Sequence, residues 1–174
     1  GVVLYPADAV STERLVDRMI EHRGIAYLRT TRGKTPVIYD IDDEFKIGGS
    51  YVLRQSDDDL VTLIGAGITL HECLKAFDML KQAGVSARVI DLYSVKPLDH
   101  ATIRQAADAT RIVFTVEDHF PEGGIGEAVL TSLSDHCTPV SCLAIRKRPI
   151  SGTPDQLLDA QGISSNKIVE AVER

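Results

Sequence analysis

The densest cluster of ionisable residues lies in one short segment that contains Glu117, Asp118, His119 and Glu122. Carboxylates can bind a hard metal ion, and a histidine beside a carboxylate can form a proton-transfer pair. However, no second histidine follows at helical spacing and no nucleophile is near in the sequence. Ionic clusters also occur without a catalytic role. The pattern therefore favours a structural or interface role for this segment over a metal or catalytic site.

Two glycine-rich segments, residues 65–67 and 123–126, each follow a predicted strand and precede a predicted helix. A dinucleotide-binding loop needs one more glycine, but Leu70 and Val129 occupy that position in the two segments. Asp91 lies further along the chain than the ribose-binding acid of such loops. Both segments are thus predicted to be tight strand-to-helix turns in which glycine allows unusual backbone angles and close packing.

Arg29 and Arg32 flank two threonines at the end of another predicted strand. Guanidinium groups beside hydroxyls form a plausible clamp for a phosphate or carboxylate. The pattern alone is weak, because arginines at strand ends are commonly surface residues. The basic run at residues 146–148 is expected to be a solvated loop before Pro149.

The three cysteines, Cys73, Cys137 and Cys142, form neither a C-x-x-C pair nor a metal-binding pattern with histidine. Cys73 lies on an apolar helix face and is expected to be a small core residue. His71 does not face Cys73 across a helix, which argues against a catalytic dyad. The absence of a pairing pattern among these cysteines favours a reduced, cytoplasmic setting.

Composition indicates a soluble globular protein with room for a hydrophobic core. The chain has 174 residues, of which 44% are hydrophobic and 25% charged, with a formal net charge of −6. The negative charge disfavours nucleic acid and anionic membranes as main partners. No apolar run approaches the roughly 20 residues that span a bilayer.

From position 60 onward, predicted strands alternate with amphipathic helices. The strands are at 61–64, 85–90, 112–116 and 140–145. Capping signals mark several helix starts: Thr69 with Glu72, Asp99, and Thr153 with Gln156. This alternation predicts an α/β fold, a three-layer sandwich with a mostly parallel sheet, over residues 60–174.

The first 59 residues have a different organisation. Residues 1–40 are predicted to be the tail of another α/β domain, with strands at 2–5, 25–28 and 37–39 and a helix capped by Asp8 or Ser11. The strand at 2–5 is expected to leave an unpaired edge that promotes self-association. Residues 41–59 are predicted to be a linker whose acidic runs, 42–44 and 57–59, are solvated surface.

Residues 116–129, V-E-D-H-F-P-E-G-G-I-G-E-A-V, resemble the transketolase C-terminal pattern V-E-D-H, two variable residues, then E-G-G-I-G-E-A-V. Three other segments match in order: 64–72 resembles I-G-A-G-x-T-L-H-E, 96–99 resembles K-P-L-D, and 151–158 resembles S-G-x-P-x-x-L-L. Upstream, residues 5–8 and 29–32 resemble the end of the family's pyrimidine-binding domain. The resemblance covers essentially the whole chain.

This resemblance implies the C-terminal part of a thiamine-diphosphate-dependent transketolase, a transferase of the pentose phosphate pathway that moves a two-carbon ketol unit between sugar phosphates. The complete enzyme would be a cytoplasmic homodimer that binds thiamine diphosphate and Mg²⁺ or Ca²⁺. Its diphosphate and pyrimidine domains would form the N-terminal remainder. Their G-D-G metal motif and activating glutamate are missing from this sequence, so the chain alone is expected to be inactive and to bind no cofactor.

The resemblance also assigns one substrate contact. Arg32 matches the family's arginine that contacts the sugar phosphate, whereas the C-terminal domain itself, residues 60–174, supplies no agreed catalytic residue in the family.

Two alternatives remain open. One is part of a sister thiamine-diphosphate enzyme, either deoxyxylulose phosphate synthase or a 2-oxoacid dehydrogenase β-subunit. The other is a non-catalytic interaction module with this fold. His119 and residues 151–154 favour transketolase over the sister enzymes, and the sequence that precedes Gly1 would separate an enzyme part from a module.

Overall fold

The computed structural model describes residues 1–148 and 150–174, so Pro149, at the end of the predicted basic loop, lies outside the described residues. None of the described helices is long and apolar enough to cross a membrane. The elements, in chain order, are β1 (Val2–Leu4), α1 (Ala9–Glu21), β2 (Ala26–Leu28), β3 (Tyr51–Arg54), β4 (Val61–Gly65), α2 (Ile68–Gln82), β5 (Ala87–Asp91), β6 (Ser94–Lys96), α3 (His100–Ala109), β7 (Ile112–Val116), α4 (Ile125–Ser132), β8 (Val140–Leu143), α5 (Pro154–Gln161) and α6 (Ser165–Val172).

The larger sheet has five strands in the order β3-β5-β4-β7-β8. The four strands from β5 to β8 in this order are parallel, and β3 pairs antiparallel at one edge. Adjacent residues of a strand point to opposite faces: Leu63 packs with α2 and α6, and Ile64 with α3 and α4. Helices therefore cover both faces, which confirms the predicted three-layer α/β fold with a mostly parallel sheet.

Several predicted helix ends are confirmed. The Asp99 side chain accepts the Thr102 N–H at the start of α3. Thr153 and Gln156 form a reciprocal capping box at the start of α5. Gly162 ends that helix in the left-handed conformation, at φ +79°.

The smaller sheet has the order β2-β1-β6, with β1 parallel to β2 and antiparallel to β6. β1 is therefore central and Val2 is buried, so the expected unpaired edge at residues 2–5 is wrong. Exposed apolar side chains lie at β2 instead: Tyr27 in the strand is 58% exposed, and Ile25 just before it is 82% exposed. Because β6 follows β5, this sheet joins the first 40 residues to the region predicted as the C-terminal domain.

The predicted capping box of Thr69 and Glu72 is wrong. α2 begins earlier, at Ile68, and the Thr69 hydroxyl donates to the carbonyl of Val116 at 2.7 Å. The Glu72 carboxylate accepts the backbone N–H of Ser165 at 2.7 Å, at the start of α6. Thr69 also bonds to Ala66 and Glu72 to Lys75, but the two side chains do not cap the helix reciprocally.

Three further predictions for residues 37–59 also need correction. Residues 37–39 do not form a strand; the N–H groups of Ile38 and Tyr39 donate to the Asp8 carboxylate instead. The segment predicted as a linker contains β3, which pairs with β5. In its second acidic run, Asp59 is buried and bonds to Arg88 at 3.2 Å rather than facing solvent. The domain boundaries themselves stay a prediction.

Candidate functional site

Glu117, the first residue after β7, is almost completely buried. Its two carboxylate oxygens accept the backbone N–H groups of Ile125 at 2.7 Å and Gly126 at 3.0 Å. These N–H groups belong to the first turn of α4, which has no intrahelical partners for them and carries a partial positive charge. Burial raises the pKa of Glu117 above its ordinary value, and the two N–H bonds partly offset this. Glu117 therefore caps α4 from outside the helix.

The glycines of residues 123–126 allow this cap to form. A Cβ at Gly124 would collide with the Glu117 carboxylate, and a Cβ at Gly126 would lie 2.8 Å from the Cys142 Sγ. Gly123 has φ +70°, which L side chains rarely adopt. These contacts support the prediction of a tight strand-to-helix turn.

Asp118, the next residue, points to the smaller sheet. Its Oδ2 atom lies 2.7 Å from Arg29 Nη2 and accepts the Tyr5 hydroxyl at 3.0 Å. The Arg29 guanidinium also stacks over the Tyr5 ring at 4.5 Å. Burial raises the pKa of Tyr5 above its ordinary value, and the negative charge of Asp118 adds to this rise. These three side chains line a cavity of about 240 Å³ between the two sheets.

His119 and Glu122, the remaining members of the acidic cluster, are exposed. His119 Nδ1 lies 2.6 Å from the carbonyl of its neighbour Phe120. Glu117 and Asp118 thus bind different partners, although both line the cavity of about 240 Å³ together with His119. Within residues 1–148 and 150–174, no group of three or more His, Cys, Asp and Glu side chains could hold a metal ion. The bonds of Glu117 and Asp118 support the structural role that the sequence favoured for the cluster.

The divalent metal that accompanies the implied thiamine diphosphate does not fit the two buried carboxylates of the acidic cluster, Glu117 and Asp118. A hard cation needs several free oxygen ligands. In the described residues, however, Glu117 is occupied by backbone N–H groups and Asp118 by Arg29 and Tyr5. No step of a reaction is therefore assigned to this cofactor on this chain.

The glycine turn at residues 65–67 is also closed to a dinucleotide. Gly67 has φ +56°, and a Cβ there would collide with the Tyr5 ring. The Tyr5 hydroxyl accepts the Ile68 N–H, the first of α2, at 3.5 Å. Tyrosine thus covers the helix N-terminus where a pyrophosphate would bind. Sequence reasoning could not find this contact, because Tyr5 lies 63 residues before Ile68.

The nearby cysteine and histidine on α2 have structural environments. Cys73 is completely buried, as expected for a small core residue, and burial raises the pKa of its thiol. His71 Nε2 lies 2.8 Å from the carbonyl of Ala7. The pair is not arranged as a catalytic dyad.

Arg32 is exposed and lies in residues 29–39, which we call the Arg32 loop. The structure separates it from Arg29, whose guanidinium is paired with Asp118. Next to the loop is a cavity of about 560 Å³, lined by Pro6, Ala7, Asp8, Ala9, Thr12, Glu13, Thr30, Thr31, Gly33, Lys34 and Thr35. The wall also contains the start of α1, but the Asp8 carboxylate caps this helix N-terminus, and Asp8 and Glu13 both line the cavity. Positive charge near this cavity comes from Lys34 in its wall and from the exposed Arg32 in the same loop.

Two buried carboxylates hold the end of the Arg32 loop. Asp8 Oδ1 caps α1 through Ser11, whereas Oδ2 accepts the N–H groups of Ile38 at 2.7 Å and Tyr39 at 3.1 Å. Burial acts to raise the pKa of Asp8, but the bonds from Ser11, Ile38 and Tyr39 bring it below its ordinary value.

The second carboxylate is Asp91, at the end of β5. Tyr39 Oη donates to its Oδ2 atom at 2.6 Å. Asp91 is fully buried, and burial raises its pKa to about 7. The sequence offered no signal for this bond, because 52 residues separate Tyr39 from Asp91.

Comparison with known proteins gives a consistent result. Residues 50–168 match the family described as transketolase, C-terminal domain. Transketolase-like protein 1 from Bos taurus is 51% identical over 174 residues, which cover 99% of this chain and 29% of that protein. Transketolase from Mus musculus is 43% identical over 175 residues, covering 99% of this chain and 28% of that protein. The chain thus spans less than a third of these relatives.

Solved structures agree with this match. A structure described as split gene transketolase, inactive beta4 tetramer, is 34% identical with a TM-score of 0.90, covering 99% of this chain and 56% of that chain. Transketolase from Campylobacter jejuni subsp. jejuni has a TM-score of 0.63 at 20% identity and covers 99% of this chain and 26% of that chain, a likeness in fold. On the family match and these relatives, the chain belongs to the transketolase C-terminal domain family.

Proposed function

We propose that this chain is the C-terminal part of a thiamine-diphosphate-dependent transketolase, which transfers a two-carbon ketol unit between sugar phosphates. The observation that carries the proposal is the match to transketolase and transketolase-like proteins over 99% of the chain, at 43% and 51% identity. Because the chain spans only 28% to 29% of those proteins, catalysis would also require the rest of the enzyme.

The proposed contribution of this chain to substrate binding is Arg32. Its guanidinium is exposed, and it can donate two parallel hydrogen bonds to a phosphate. The chain has a net charge of −6, so a phosphorylated sugar needs local positive charge to bind here. Arg32 and Lys34, the exposed basic side chains of the Arg32 loop, would provide it, and Lys34 lines the larger cavity.

In the complete enzyme, thiamine diphosphate and Mg²⁺ or Ca²⁺ would supply the ketol-transfer chemistry from the diphosphate and pyrimidine domains. Those domains are the proposed partner of this chain, in a cytoplasmic homodimer. One relative supports the need for a partner: the split-gene transketolase structure, with 34% identity, is described as an inactive beta4 tetramer.

The test is ketol transfer from xylulose 5-phosphate to ribose 5-phosphate with thiamine diphosphate and Mg²⁺. The chain is assayed alone and then mixed with the N-terminal remainder of the enzyme, with the remainder alone as the matched control. We expect activity only in the mixture.

Two results would contradict the proposal. Activity of the chain alone would refute its dependence on the other domains. An inactive but well-folded mixture would favour a sister enzyme or a non-catalytic module.

A further inference from the structure

We propose that Asp118 and Asp91 are positioning residues that hold the two ends of the Arg32 loop and so set the place of Arg32 relative to a bound sugar phosphate. The inference rests on the proposed role of Arg32. It gives the C-terminal domain, which has no assigned catalytic residue, a defined contribution to substrate binding.

The first end of the loop is held at Arg29. Its guanidinium bonds to Asp118 Oδ2 at 2.7 Å and to the Asp118 carbonyl at 3.3 Å, and its backbone N–H donates to Leu4 at 2.9 Å. The Asp118 side chain is 17% exposed, so solvent screens this ion pair only in part. Arg29 precedes Arg32 by three positions, so this anchor fixes the start of the segment that carries Arg32.

The other end is held at Tyr39. Its side chain is buried and donates to Asp91, while its backbone N–H donates to Asp8. The second oxygen of Asp91, Oδ1, has no hydrogen-bond partner within the described residues. A buried carboxylate with an unpaired oxygen costs stability. An apolar residue would pack here at lower cost, so the property specific to Asp91 is its bond to Tyr39.

Both anchors lie at the carboxyl-terminal ends of parallel strands in the five-stranded sheet. Asp91 ends β5 and Val116 ends β7, and both pair with Gly65 at the end of the central strand β4. Asp118 lies two residues beyond Val116. One rigid sheet edge therefore holds both ends of the loop, which fixes the distance between them and limits the conformations of residues 30–37.

Anchors of this kind affect substrate binding by setting the position of Arg32. A displacement of about 1 Å by a mutation far from the chemistry can change activity by as much as 10²-fold. We therefore expect Asp118→Asn and Tyr39→Phe to raise the KM for phosphorylated sugars, by about tenfold, with little change in kcat. Reaction with an unphosphorylated acceptor should be unchanged. Asp135→Asn, which removes a surface partner of Arg104, is the matched control and should have no effect.

The first experiment measures the loop without catalysis. Amide hydrogen exchange of Arg29, Ile38 and Tyr39 is followed in this chain, because their N–H groups are hydrogen-bonded. Asp118→Asn should accelerate exchange at Arg29, and Tyr39→Phe at Ile38 and Tyr39, while the amides of α2 stay protected. Unchanged exchange in both variants would overturn the inference.

The second experiment is a double-mutant cycle on KM in the completed enzyme. If Asp118 acts through Arg32, Asp118→Asn should add little to the KM of Arg32→Ala. Additive effects would overturn the inference, as would an effect of Arg32→Ala on KM with none from Asp118→Asn or Tyr39→Phe. If Arg32→Ala leaves KM unchanged although both variants loosen the loop, the anchoring stands and the phosphate role of Arg32 is refuted.

Discussion

The Glu117 carboxylate lies 3.0 Å from the backbone nitrogen of Gly126, across the turn that joins β7 to α4. With the bond to Ile125, this contact places a buried acid at the N-terminus of a helix. It explains why the most specific motif of the chain combines an acid with three glycines. The acid accepts the N–H groups at the start of the helix, and the glycines leave room for its side chain.

We expect Glu117→Ala to lower the free energy of unfolding by about 1–3 kcal/mol, because buried N–H groups of α4 lose their acceptor. Glu117→Gln should lose less stability, since its amide oxygen still accepts one of the two hydrogen bonds. Urea denaturation measures both. Equal stability of wild type and Glu117→Ala would contradict the capping role.

Gly124→Ala should destabilise the chain by about 1–3 kcal/mol, because the new methyl group overlaps the Glu117 carboxylate and forces the turn to shift. Gly33→Ala is the matched control, since a Cβ there meets no described atom within 4 Å. Thermal unfolding of the two variants tests the difference. A Gly124→Ala variant as stable as Gly33→Ala would refute the steric explanation.

Asp91 should make stability depend on pH. Burial raises its folded-state pKa from 3.8 to about 7, so the folded protein retains this proton at pH values where the unfolded chain releases it. The associated stability is complete below about pH 4 and is lost as the pH rises through about 7. Tyr39 donates a hydrogen bond to this carboxyl group, and the charge of Asp8 adds to the rise of its pKa. Burial raises the pKa of Cys73, and the Asp91 charge in turn adds to that rise.

The measurement for Asp91 is the free energy of unfolding at pH 5 and pH 8. Because Glu117 also has a raised pKa, the relevant quantity is the difference between wild type and Asp91→Asn. Asparagine cannot ionise, so the variant should lose less stability between the two pH values. An identical pH dependence in both proteins would show that Asp91 does not titrate in this range.

Arg32→Ala in the completed enzyme should raise the KM for phosphorylated sugars, by about tenfold, and spare unphosphorylated acceptors, because a phosphate partner is removed. The KM of Arg32→Lys should be intermediate, since lysine keeps the positive charge but lacks the planar guanidinium group that donates two parallel hydrogen bonds. Arg111→Ala, another exposed arginine, is the control for net charge. An unchanged KM in Arg32→Ala would remove this residue from the substrate site.

The region of β2 should cause the chain to self-associate, because β2 pairs only with β1 among the described residues and the apolar side chains of Ile25 and Tyr27 are exposed beside this free edge. Sedimentation over a range of concentrations measures this. Ile25→Lys should reduce association, and Leu130→Lys, on the exposed side of α4, should not. A monodisperse wild-type monomer would contradict the prediction.

The sequence alone determined the features that depend on local periodicity and capping. Alternating strands and amphipathic helices predicted the layered α/β fold, and the residues that begin α3 and α5 act as local caps in the structure. The family was also recognisable from continuous motifs. Arg32 was singled out from the family motif at residues 29–32, and its role in phosphate binding stays a prediction.

The tertiary structure decided where polar groups find their partners. Glu72 was predicted to cap its own helix and instead binds Ser165, and Asp8 holds a segment that was predicted to be a strand. β6 was not predicted, and it joins the small sheet. The bonds of Asp118 to Arg29 and of Asp91 to Tyr39 span 89 and 52 residues. A buried donor or acceptor needs a hydrogen-bond partner, and the fold can supply one from any part of the chain. The spacing of residues in the sequence therefore does not predict which distant residue becomes the partner.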